Sequence, residues 1–184
     1  MTNKVAMIGG AESTRDSAPY DDYSWEIWSV ARRHPSDYLK RATRLFEIHP
    51  RKSLEAWYVE ELRTIKVPLY MQKKWDDIEA SLEFPIKEFL EKDDWFVNTY
   101  SLLIPFAVHS GFKEVVLYGI EVEFTWKYQW ECFSYHARKA REKGTSVTFY
   151  GITKPEIPAI YGYQYARQGD SVHVLEEEQK DVII

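Results

Sequence analysis

Short apolar runs alternate with segments of helical period along most of this chain. Lys4 to Ile8 is an apolar run that stops at Gly9-Gly10, which predicts a buried strand ending in a tight turn. The next loop, Ala11 to Tyr23, is rich in Ser, Asp and Pro and carries no helical period. Trp25 to Val30 reads as a second strand and Arg44 to His49, closed by Pro50, as a third, with Pro35 to Lys40 a short helix or turn between them. Beyond a candidate N-cap at Ser53, residues Leu54, Trp57, Tyr58, Leu62 and Ile65 recur at helical spacing, so one face of this helix is expected to cover a sheet. Val67 to Met71 follows as a fourth strand.

In the second half, Pro85 to Leu90 predicts a short helix and Phe96 to Ser110 a longer apolar one, disturbed early by Pro105 and ended in a left-handed cap at Gly111. Val115 to Ile120 is almost wholly apolar, as a central parallel strand covered on both faces must be. Trp130, Phe133, Ala137 and Ala140 define another helix ending at Gly144, and Ser146 to Tyr150 a final strand. Strands alternating with helices predict an α/β fold: a single Rossmann-like domain over residues 1–155, with a mostly parallel open sheet and helices on both faces. Residues 156–184, with Tyr161-Gly162-Tyr163 and the acidic Glu176-Glu177-Glu178, read as a peripheral C-terminal extension.

Composition narrows the partners. With 184 residues, 45% of them hydrophobic and 16% aromatic, the chain has core material for one domain, and 29% charged residues argue against a membrane-embedded protein. A net charge of −5 disfavours binding along a nucleic-acid backbone, which needs a concentrated positive surface. Arg32, Arg33, Lys40, Arg41, Arg44, Arg51 and Lys52 make one stretch basic, and a solvated helix face explains it before an anion site does. A lone cysteine, Cys132, and the lack of a signal peptide or long apolar run place the chain in the cytosol. Cys132 beside Trp130 and Phe133 reads as a buried, inert thiol. His136 one turn further on does not complete a metal site, so neither a metal nor a cofactor is expected. Homo-oligomerisation is left open.

Ligands of open α/β sheets bind beyond the carboxyl ends of the strands, where connections diverge. That rule nominates Gly9, Gly10 and Ser13 after the first strand, His49 at the end of the third, Gln72 and Lys73 after the fourth, and Glu121 and Glu123 after the apolar strand. Gly9-Gly10 is either a plain turn or a loop whose N–H groups approach a phosphate or ribose, and it fits neither the dinucleotide nor the P-loop pattern. Glu47 and His49, two apart on a strand, share a side and are placed to pair as carboxylate and imidazole, a candidate general base. The competing reading is a histidine merely satisfied at a strand end. Glu121 is a candidate base or hydroxyl acceptor, or a solvent-facing carboxylate, and Tyr20 and Tyr128 are candidates to stack on a nucleobase.

Two segments carry a resemblance. Val5-Ala6-Met7-Ile8-Gly9-Gly10-Ala11-Glu12-Ser13 with Ala18-Pro19-Tyr20-Asp21-Asp22, and Asn98-Thr99-Tyr100-Ser101 leading through Gly111-Phe112-Lys113-Glu114 into Val115-Val116-Leu117-Tyr118-Gly119-Ile120-Glu121, resemble a group of small Rossmann-like proteins encoded by phages and prophages. More distantly they resemble bacterial sialyltransferases that cap surface oligosaccharides. The resemblance covers about the first four-fifths of the chain. It implies a cytidine nucleotide-sugar site lined by Gly9, Gly10, Ser13 and Thr99, with an acid at Glu121, in the host cytosol.

Two functions follow as expectations. The first is a nucleotide or nucleotide-sugar binding protein acting as a glycosyltransferase-like transferase, with Glu121 or His49 as base. The alternative is a non-catalytic phage protein that sequesters a nucleotide signal of bacterial defence.

Overall fold

The computed structural model describes residues 2–31, 39–93, 95–120, 127–151, 173–174 and 181–183. Strand β1, Lys4–Ile8, lies in the middle of the sheet, and its residues Val5 to Ile8 are buried on both faces, which is why that segment is continuously apolar. From β1 the chain lays down β2 (Trp25–Val30), β3 (Arg44–Glu47), β4 (Leu69–Met71) and β5 (Ser81–Glu83) outward on one side. It then crosses back to place β6 (Glu114–Tyr118) and β7 (Ser146–Tyr150) on the other side. The order is β5-β4-β3-β2-β1-β6-β7, all parallel, so the direction of winding reverses between β1 and β6. This is the α/β, Rossmann-like architecture that the alternating pattern predicts.

Four helices are described: α1 (Ala56–Thr64), α2 (Ile86–Leu90), α3 (Thr99–His109) and α4 (Lys127–Glu142). One face of the sheet carries α2, α3 and α4 over an aromatic core in which the Trp28 ring lies 5.2 Å from Phe46 and 5.4 Å from Phe106. On the other face α1 covers Leu45, Leu69 and Met71, while Ala18 and Tyr20 from the loop after β1 pack on Ala6, Ile8, Ile27, Val116 and Tyr118. Helices therefore lie on both faces, but a loop holds the place over β1.

Both long connections back to the sheet end in the same way. Phe112 N–H bonds to Ala107 O and Gly111 N–H to Val108 O; Thr145 N–H and Gly144 N–H repeat this with Ala140 O and Arg141 O. Gly111 (φ 87°) and Gly144 (φ 75°) supply the left-handed residue each motif requires. At its start α3 is fixed by a capping box: Asn98 Oδ1 accepts from Ser101 N at 3.0 Å, and Ser101 Oγ accepts from Asn98 N at 3.3 Å. The helix runs through Pro105 without interruption, held by buried Leu102, Leu103, Ile104, Phe106 and Ala107.

Some expectations give way. Helix α1 starts at Ala56 with Glu55 as N-cap, and Ser53 instead closes a 3-10 turn over Arg51–Ser53. Its buried face is Tyr58, Val59 and Leu62, and Trp57 is 53% exposed, because the helix docks on Leu45, Leu69 and Met71 through the Tyr58–Leu62 side. A 3-10 turn, Arg15–Ser17, interrupts the loop after β1, and β5 is an additional strand. Nor is β7 the last strand: β9 (Asp181–Ile183) pairs antiparallel with it and β8 (His173–Val174) with β9, so residues 173–174 and 181–183 extend the sheet.

Candidate functional site at the strand tips

Because β1 to β7 run parallel, their carboxyl ends share one edge, and two places on it differ in how polar groups are used. At the winding reversal, the loop after β1 is bonded to the end of β6. Gly9 N–H donates to Tyr118 O at 2.7 Å, Ala11 N–H to Gly119 O at 2.8 Å, and Gly119 N–H to Thr14 Oγ1 at 2.7 Å. A Cβ on Gly9 would stand 2.2 Å from Gly119 O, so this glycine is there to let two backbones touch. Its expected role of opening N–H groups to a ligand does not fit: its N–H is already bonded inside the protein. Ile8 O accepts from Ser29 Oγ at 2.8 Å and from Tyr100 OH at 2.6 Å, which ties the first turn of α3 across the tip of β1.

The tip of β3 is built the other way. Glu47 is buried, its carboxyl 4% exposed, and accepts from three donors: His49 N at 3.0 Å and His49 Nδ1 at 2.6 Å on Oε1, and Tyr58 OH at 2.6 Å on Oε2. The His49 side chain is 67% exposed. A carboxylate only accepts, so Nδ1 carries the proton of the neutral ring and Nε2 holds the lone pair. Side-chain alternation from β3 and the short step beyond its end bring acid and imidazole together, as the spacing of Glu47 and His49 predicts.

The other nominated residues fall unevenly. Gly10 is half-buried, its carbonyl bonded to Arg15 Nη1 at 2.8 Å, and Ser13 is exposed in the same loop. Thr99 is the half-buried first residue of α3, whose start lies at this edge. Tyr20 is a correction: it is 4% exposed and packed on Ile27 and Val116, with Lys40 Nζ 5.5 Å from its ring centre, so its faces are covered. Tyr128 lies in the first turn of α4. Glu121 and Glu123 lie outside the described residues, although Gly119 and Ile120 carry the chain from β6 onto the same edge as Gly10. Gln72 and Lys73 follow β4 at that edge.

The basic stretch serves mostly to hold loops. Arg41 donates to the carbonyls of Tyr20 at 2.9 Å and Asp22 at 3.0 Å, and Arg44 Nε to Glu26 Oε2 at 2.7 Å. Arg51 binds both oxygens of Asp77 at 2.7 Å while lying 3.8 Å from the Trp75 ring centre, and Arg63 Nη2 joins Asp77 at 2.6 Å. The hydrogen bonds from Arg51 and then Arg63 hold the Asp77 carboxyl far below the usual carboxylate range. Arg32 and Arg33 lie outside the described residues.

On α4, Cys132 and His136 both meet one acceptor: Cys132 Sγ is 3.3 Å and His136 Nε2 2.8 Å from Trp95 O. Burial pushes the thiol up and the imidazole down from their ordinary values. His136 is stacked on Phe96 at 4.6 Å. Among the described residues no group of three or more His, Cys, Asp or Glu side chains is arranged to hold a metal ion, and no helix is long and apolar enough to cross a membrane.

The chain matches no family model, no curated protein and no solved structure. Its chemistry is therefore argued from the geometry. Tyr58 is the residue of this site that the sequence reading places only in the core-facing stripe; the signal was a phenol on a buried helix face, which needs a polar partner.

Proposed function

We propose that this protein binds a nucleotide-type small molecule at the strand tips and transfers a group from it, with His49 as general base. The observation that carries this reading is the exposed His49 imidazole held by the buried Glu47 carboxylate, on the edge where the winding reverses between β1 and β6. An imidazole oriented through Nδ1 offers Nε2 to a substrate proton, the arrangement that activates a nucleophile in many transferases and hydrolases. The ends of β1 and β3 are two strand spacings apart, roughly 10 Å, a distance a nucleotide spans. Support for a cytidine nucleotide-sugar as the ligand comes from the resemblance of the β1 loop and the α3–β6 segment to phage-encoded proteins and sialyltransferases. On that reading Gly10, Ser13 and Thr99 contact the nucleotide, and Glu121 adds a carboxylate from the end of β6.

Calorimetric titration with a cytidine nucleotide-sugar, followed by chromatography of the mixture, tests this. The wild type is expected to bind and to release free nucleotide as water, deprotonated by His49, takes the sugar, and His49→Gln to bind within threefold while releasing it about 100-fold or more slowly. Recovery of unaltered ligand from the wild type would overturn the base role and leave a protein that sequesters its nucleotide. Absence of binding would overturn the whole reading.

A further inference from the structure

Three donors meet on one buried carboxylate at the tip of β3, and only two of them belong to His49. The third, Tyr58 OH, comes from the first turns of α1 and lies 2.6 Å from Glu47 Oε2. The two oxygens are thereby divided, Oε2 to the phenol and Oε1 to the Nδ1 and backbone N–H of His49. We infer that Tyr58 is a positioning residue for His49: by engaging Oε2 it fixes the rotation of the Glu47 carboxylate and withdraws charge from the oxygen that faces the imidazole.

Both effects follow from ordinary hydrogen-bond chemistry. A carboxylate free to rotate would offer either oxygen to Nδ1, and the ring would lose its fixed orientation. A phenol donating to one oxygen draws charge from the other, and so tempers the bond that oxygen makes to Nδ1–H. Arg51, two residues beyond His49, is bound through both terminal nitrogens to Asp77, and Arg63 also engages Asp77. Tyr58 OH is the donor on the oxygen that His49 does not use.

This inference rests on the reading of His49 as a base, but its test does not depend on any ligand. In ¹⁵N-labelled protein, the ring nitrogens of His49 report the tautomer directly. The wild type is expected to show the Nδ1–H tautomer, and Tyr58→Phe a mixed one, with its Nε2–H fraction roughly doubled or more. Fluorotyrosine incorporated at position 58 keeps the ring and hydroxyl, donates more strongly, and is expected to keep the Nδ1–H tautomer. In a Glu47→Gln background, Tyr58→Phe is expected to change nothing at His49, since the coupling passes through the carboxylate. An unchanged tautomer in Tyr58→Phe, a mixed one in the fluorotyrosine protein, or an equal change in the Glu47→Gln background would overturn the inference. If these results hold while no nucleotide binds, the positioning role stands and the proposed function fails.

Discussion

The tips of β1 and β6 and the tip of β3 lie on one edge of one sheet, yet their polar groups face opposite ways. At the β1–β6 crossing the N–H groups of Gly9, Ala11 and Gly119 and the carbonyl of Ile8 all have protein partners. Those groups hold the loop down. At β3 a carboxyl is buried and satisfied, but the imidazole it holds is mostly in solvent. The edge thus separates architecture from chemistry: a locked crossing fixes the frame, and a neighbouring tip presents a reactive group from it. Position at a strand's carboxyl end marks where a site can be, and hydrogen-bond partners decide which residues there remain available to a ligand.

The comparison is broken most severely at the crossing. Gly9→Ala sets a methyl carbon 2.2 Å from Gly119 O and 2.8 Å from Ile120 Cγ1, and since the nearer atom is backbone, the two loops must separate. A loss of about 3 kcal/mol is expected in chemical denaturation. Gly111→Ala is the control: nothing lies within 4 Å of its added Cβ, and only the left-handed backbone (φ 87°) resists, costing about 1 kcal/mol. Equal losses for the two variants would mean that the crossing is not locked.

That contrast also explains what could be read from the sequence. Strands β1, β6 and β7 were legible because both faces of β1 and β6 are buried and β7 has a clear buried stripe, Val147 and Phe149. Strand β5 was not, being three residues at an edge with only Ser81 buried. The Glu47–His49 pair was legible because it depends on a local two-residue spacing. The partner of Gly9 was not, since Gly119 comes from the far side of the winding reversal, and neither was that of Tyr58, which depends on how α1 docks. The apolar pattern offers Ser53 as N-cap and Trp57 in the buried stripe; α1 begins at Ala56 and docks with Val59 buried and Trp57 outward.

A smaller effect at the crossing isolates one bond. Thr14 is buried and its hydroxyl is the acceptor for Gly119 N–H. Thr14→Val keeps the shape and removes the acceptor, leaving a buried donor unsatisfied, so a loss of about 2 kcal/mol is expected from denaturant midpoints. Thr14→Ser restores an oxygen and is expected to recover most of it.

A second histidine sharpens the contrast with His49. His136 is 2% exposed, and burial lowers its titration below the ordinary 6.5 despite the bond to Trp95 O. As pH falls below 6.5 the unfolded chain takes up a proton that the folded chain refuses until its lowered value is reached. Stability is therefore complete above 6.5 and declines through that window, by at most about 1.4 kcal/mol per pH unit. His136→Gln is expected to flatten this part of the stability profile measured by urea denaturation between pH 7 and about 5. An unchanged slope would show that other groups produce it.

The smallest change in stability is expected where the chemistry is proposed. His49→Ala removes a side chain that is 67% exposed, and it leaves Glu47 with two of its donors, Tyr58 OH and the backbone N–H of residue 49. The buried carboxylate thus stays bonded, and the change in unfolding free energy is expected to stay within about 0.5 kcal/mol. A buried acid that loses so little when its histidine goes was not holding that histidine for the sake of the fold. A loss of 2 kcal/mol or so would instead make the pair a structural ion pair, and the β3 tip would then resemble the crossing rather than differ from it.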